Sequence, residues 1–123
     1  MHRAPIITAH YAVRARQRGY RHADFEIVES TGTWMREGIF VRRRDVESKL
    51  HRLSAQLRRK RREGIKGNDR EIIHEIERLQ RLPGTFIPMD NGHALSIYRP
   101  STRRRKRILR GGRMRLASRR YAR

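Results

Sequence analysis

The sequence predicts an α+β fold: a small antiparallel sheet with two N-terminal helices, an inserted helical hairpin and a basic C-terminal tail. Three observations predict it. Apolar residues recur at helical spacing over residues 9–18 and again over 45–82. Short β-branched and aromatic runs flank turn residues at 37–38 and 91–92. Residues 101–123 hold 11 Lys or Arg and no acid. The chain of 123 residues is therefore read as one α+β domain, 1–100, followed by a flexible basic tail, 101–123.

The elements follow in order. Ile6 and Ile7 end an extended start, and Thr8 is a good N-cap for a helix closed by Gly19 in the left-handed region. Ile6, Ala9 and Val13 would give that helix its apolar side. A second helix, about 22–30, places Phe25, Ile27 and Val28 inward and ends near Gly32. Thr33–Met35 and Ile39–Val41 read as strands around Glu37-Gly38, with Trp34 and Phe40 as core. Asp45 can cap a long helix whose apolar positions are Val46, Leu50, Leu53 and Leu57. Asn68, with Glu71 three residues on, can cap another, lined by Ile72, Ile76 and Leu79. The two stripes predict an antiparallel hairpin inserted over about 44–82. Asn91-Gly92 then joins TFIPMD to HALSIYR as a β-hairpin. Pro88 makes the first of these strands an edge or a bulged strand. Leu95 and Ile97 should face one side of the second strand, and Ala94, Ser96 and Tyr98 the other.

Charge narrows the partners. Lys and Arg number 32 against 12 acids, a net charge of +20. Such a balance points to nucleic acid first, then to an acidic protein or an anionic membrane surface. The excess of Arg over Lys suits bidentate contact with phosphate. With no cysteine, the chain has no disulfide framework, zinc ribbon, iron–sulfur site or cysteine nucleophile. No apolar run approaches the roughly 20 residues that span a bilayer, and the start lacks a signal-peptide core, so no membrane is expected. The six histidines are scattered and form no metal-ligand pair, so neither metal nor cofactor is expected.

His10, Arg14 and Arg18 stand four residues apart and form one stripe on the first helix. Neighbouring cations repel, so a row of them suits a phosphate, although a solvated face in a basic protein is the plainer account. Arg58–Arg62 end a helix, where cations are favoured in any case. Glu75 and Glu77, among Arg70, Arg78 and Arg81, read as salt-bridged surface.

Two stretches resemble a known family. HYAVRARQRGYRHADFEIVESTG carries a capped helix with His10, Arg14, Arg18 and Gly19, then Asp24 in a second helix ended by Gly32. FIPMDNGHALSIYRP carries an apolar strand, an Asn-Gly turn, and Ser96, Ile97, Tyr98 and Arg99. Together they resemble RelE-type toxins of the barnase/EndoU/colicin/RelE group of metal-independent ribonucleases. The resemblance covers residues 6–42 and 85–99. It departs in the large hairpin at 44–82, in Arg21 at the slot that caps the second helix, and in the added tail.

The resemblance implies an endoribonuclease of the mRNA interferase type, acting on RNA, including ribosome-bound RNA, and held by an acidic antitoxin in the cytoplasm. Cleavage would use the neighbouring 2′-hydroxyl as nucleophile and leave a 2′,3′-cyclic phosphate. His10 would be the acid or base, since its reference pKa is about 6.5. Arg14 and Arg18 would clamp the phosphate, and Tyr98 would donate a proton or stack on a base. Arg16, Ser96, Arg99 and, in the tail, Arg103, Arg104, Arg105, Lys106 and Arg107 would hold the RNA. Two other classes fit the same composition: a non-catalytic RNA-binding or ribosome-associated protein, and a phage or mobile-element protein that binds DNA or a host enzyme.

Overall fold

The computed structural model describes residues 5–64, 67 and 69–112. Asn68 and the tail beyond 112 lie outside the described residues. The chain runs β1 (Ile6–Ile7), α1 (Ala9–Gln17), α2 (His22–Thr31), β2 (Thr33–Met35), β3 (Gly38–Phe40), α3 (Arg43–Arg62), α4 (Asp69–Leu79), β4 (Phe86–Asp90), β5 (His93–Ala94) and α5 (Thr102–Arg110). The fold class is α+β, as expected.

The five strands form one sheet in the order β1-β5-β4-β3-β2. The 85–99 hairpin pairs with the earlier strands, Phe86 opposite Phe40 and Ile87 opposite Ile39. The sheet is mixed rather than purely antiparallel, because β1 pairs parallel to β5 at its outer edge. Gly38 sits opposite Pro88. A Cβ there would lie 2.1 Å from the Ile87 carbonyl oxygen, so only glycine lets β3 and β4 approach. Asn91 and Gly92 both have positive φ, 49° and 79°, as a tight two-residue hairpin turn requires.

Caps explain where the helices begin and end. The Thr8 hydroxyl accepts from Tyr11 N at 3.0 Å and opens α1. At the other end Tyr20 N donates to Ala15 O and Gly19 N to Arg16 O, with Gly19 at φ 78°. That pair of bonds is a Schellman closure. Asp24 sits at the third position of α2 and accepts from Arg21 N at 2.8 Å. Asp45 does the same for Arg42 N at 3.0 Å. Asp45 is therefore not the cap itself: the N-cap is Arg42, three residues earlier, because the carboxylate reaches back.

The α3–α4 pair is the expected antiparallel hairpin. Lys49 pairs with Glu75 at 3.8 Å and Lys60 with Asp69 at 3.5 Å, so the two helices run in opposite directions. Val46, Leu53, Ile72 and Leu79 join one core with Tyr11, Phe25, Val28, Trp34, Ile39 and Ile87. The apolar side of α1 is Tyr11 and Ala15, not Ile6, Ala9 and Val13; Val13 is 49% exposed. Tyr11 meets Phe25 edge-on at 5.5 Å, which anchors that rotation of the helix.

The opposite face of the sheet carries Met35, Phe40 and Phe86. It is covered by α5, whose Ile108 is 1% exposed among them. The tail is helical over 102–110: Ser101 caps it through Arg104 N, and burial of one isoleucine against an otherwise wet apolar face favours its docking. Together the helices enclose the sheet on both faces.

The hairpin departs from even alternation after Ala94. Ala94 pairs with Met89, but Tyr98 pairs with Phe86, so the second strand carries one extra residue. Phe86 N donates to Tyr98 O, and two residues on Pro88 turns the same side toward the strand with no proton to give. The irregularity lies opposite Pro88, on the partner strand. It separates two residues expected on one side: Ile97 is buried in the core that holds Ala94, and Leu95 is exposed.

Candidate nucleic-acid interface

The bulge builds one wall of the candidate site. On the outer edge of β5, Gly92 O and Ala94 O accept from Ile6 N and Thr8 N of the β1 side. The next outward carbonyl in even alternation would belong to Ser96. The extra residue moves it to Ile97, beyond the reach of β1. Arg18 takes it instead: one guanidinium nitrogen donates to Ile97 O at 2.9 Å and to the Ser96 hydroxyl at 2.9 Å. The same guanidinium lies over the Tyr98 ring, 5.6 Å from its centroid.

Tyr98 is held from three sides. Phe86 meets its ring edge-on at 6.0 Å. Its hydroxyl stands beside the Arg104 guanidinium of α5, and this proximity raises the pKa of Arg104, with the Glu37 carboxylate adding to the effect against some desolvation. Glu37 itself pairs with Arg104 at 3.7 Å. The ring therefore keeps a fixed position between cations from α1 and α5.

Beside this pair opens a cleft of about 760 Å³. The turn between α1 and α2 gives it Arg18 and Arg21, α4 gives it His74, Glu77 and Arg78, the turn after α4 gives it Arg81, and the end of the hairpin gives it Tyr98 and Arg99. Asp24 completes the lining. Its carboxylate is occupied, by Arg21 N and by Arg78 at 3.3 Å, and it ties α2 to α4 across the floor. Arg99 donates to the Arg81 carbonyl, which orients the fourth wall. Five arginines thus face two carboxylates, one of them already spent. Such a surface attracts a polyanion and rejects a cation.

The expected site residues separate. Arg18, Ser96, Tyr98 and Arg99 come together. His10 and Arg14 do not join them: both are exposed on α1, linked to each other at 3.5 Å, and neither lines the cleft. Helical rotation explains it. Relative to Tyr11 and Ala15, His10 stands about 120° away, Arg14 about 80° and Arg18 about 40°. The stripe drifts toward the sheet as it climbs, and only its last member arrives. His10 is also about 12 Å from Arg18 along the helix axis. His10 and Tyr98 therefore do not line one cleft.

Arg16 is likewise exposed on α1, away from the cleft. On α5, Arg103, Arg105, Lys106 and Arg107 are exposed and Arg104 is half-buried. Arg21, Arg78 and Arg81 were not picked out from sequence. The signal was present in part, since His74, Arg78 and Arg81 follow a four-then-three spacing through α4 and the turn after it, but among the described residues the salt-bridged reading holds only for Arg78 with Asp24 and for Glu75 with Lys49.

Among the described residues no helix is long and apolar enough to cross a membrane. Comparison with protein-family models, with curated proteins and with solved structures finds no match. The likeness to RelE-type toxins therefore rests on the quoted residues alone.

Proposed function

We propose that this protein binds single-stranded RNA in the arginine cleft, with phosphates held by Arg21, Arg81 and Arg99 and a base stacked beside the Arg18–Tyr98 pair. The observation that carries this is the meeting of five arginines with a fixed aromatic ring in one concavity. Sites for single strands combine those two ingredients, a basic groove for the backbone and planar groups for the bases. A cleft of about 760 Å³ suits one or two nucleotides and excludes a duplex.

The test is fluorescence anisotropy with a labelled single-stranded RNA over a salt series. The double variant Arg21→Ala/Arg81→Ala should lower the log–log salt slope by about 1.4, near 0.7 for each phosphate lost. An unchanged slope and affinity would show that RNA does not use the cleft.

A second reading, a metal-independent endoribonuclease of a toxin–antitoxin system, is favoured by one observation. Tyr98 carries a transferable proton on a hydroxyl that stands beside Arg104, with Arg18 over its ring, and cations so placed stabilise charge gathering on a phosphate. With His10 outside the cleft, proton transfer in this reading falls to Tyr98 and His74. It carries with it an acidic antitoxin and a cytoplasmic setting. Incubation with RNA in EDTA, followed by end-group analysis, separates it from binding alone: 2′,3′-cyclic phosphate ends that vanish in Tyr98→Phe support it, and intact RNA opposes it.

A further inference from the structure

The hairpin that lines the cleft with α4 turns a second surface outward on α3. The helix is 20 residues long, about 30 Å. Its buried direction is set by Val46, Leu50, Leu53 and Leu57. Arg44, Arg52, Arg58, Arg59 and Arg62 each stand at least about 110° from that direction, and all are exposed. From Arg44 to Arg62 the row extends about 27 Å along one rigid element.

The distribution of charge on α3 is not what stability alone would select. The ion pairs that hold it to α4 use its lysines, Lys49 with Glu75 and Lys60 with Asp69. Arginines occupy the outer side. At the C-terminal end the helix dipole favours them. At the N-terminal end it does the reverse, and yet Arg43 and Arg44 are the first two residues of α3. An outer face that keeps a cation against the dipole is suited to an anion that comes from outside.

We propose that the outer face of α3 holds the sugar–phosphate backbone of an RNA duplex flanking the single strand in the cleft. The choice of RNA rests on the function proposed above; the choice of a duplex rests on α3. The face carries no Phe, Tyr or Trp on which an unpaired base could stack, so it reads phosphate alone. A straight row of cations on a stiff helix matches a stiff polyanion, whereas a single strand would have to be ordered along its whole length.

The experiment compares a hairpin RNA bearing a single-stranded overhang with the overhang alone. The variant Arg44→Ser/Arg52→Ser/Arg62→Ser changes exposed side chains only. It should weaken hairpin binding ~10–100-fold and lower the hairpin's log–log salt slope by about 2 to 3. Binding of the bare overhang should stay as in the wild type, which also reports that the variant is folded. Equal loss on both RNAs, or loss on neither, overturns the proposal. Failure of the cleft reading has a different signature: overhang binding that Arg21→Ala/Arg81→Ala leaves unchanged.

Discussion

Arg18 completes the edge of the sheet at Ile97. Its guanidinium donates to the Ile97 carbonyl at 2.9 Å, three residues beyond Ala94, the last carbonyl covered from the β1 side. Ile97 itself is fully buried. The arginine therefore serves structure with one nitrogen and faces the cleft with the rest of its plane.

Arg18→Ala should cost about 1–3 kcal/mol of stability, the cost of leaving a buried acceptor without its donor. Arg18→Lys should recover part of that stability, since one ammonium proton can reach a carbonyl, but not the planar stack on Tyr98. Urea denaturation of the two variants measures the first effect, and RNA affinity the second. Equal stability of wild type and Arg18→Ala would contradict the role of Arg18 at Ile97.

Ile108 should matter as much as any core residue. It is 1% exposed against Met35, Phe40 and Phe86, and Ile108→Ala should cost about 2–5 kcal/mol. Truncation after Pro100 should do more, because it uncovers that whole face of the sheet and removes the Arg104 contact to Tyr98. Thermal unfolding of both proteins decides it. A truncated chain with an unchanged Tm would mean that α5 only rests on the sheet.

Tyr11 gives the stability a dependence on alkaline pH. The phenol is 3% exposed, and its hydroxyl has no hydrogen-bond partner. Burial, then the Asp24 carboxylate, then Tyr20, push its pKa well above the ordinary value of 10.0. The folded state thus holds the proton more tightly than the unfolded chain. Its contribution is complete below about pH 10 and is lost as the pH rises from there toward the folded pKa. Tyr11→Phe should be neutral or slightly stabilising at pH 7, because it removes an unbonded buried hydroxyl. It should also reduce the loss of stability above pH 10. A large loss at pH 7 would reveal a partner for that hydroxyl.

Much of the architecture was legible locally. Gly19 ends α1, Asn91-Gly92 turns the hairpin, and α3 and α4 each carry an apolar stripe, because each of these depends on residues within a few turns of one another. Caps, turns and periodicity are short-range physics, and the residues that satisfy them are adjacent in the chain.

The tertiary structure decided the rest. Which side of α1 is buried depends on Tyr11 finding Phe25 of α2, and that rotation sends Arg18 to the cleft and leaves His10 in water. The place of Ile97 depends on Pro88 of the partner strand, whose missing proton interrupts the ladder and shifts the outward carbonyl by one residue. The docking of α5 had a trace in the sequence: TWM, GIF and FIPM are apolar on both alternating faces, which a sheet open on one side would not need. The cover for the second face is a single isoleucine in an arginine-rich segment, and charge count alone reads such a segment as solvated. Composition determined that the protein is a polycation, with a net charge of +20. Only the fold decided where its charges converge, because convergence requires α1, α4, α5 and the hairpin to meet around Tyr98 from distant parts of the chain.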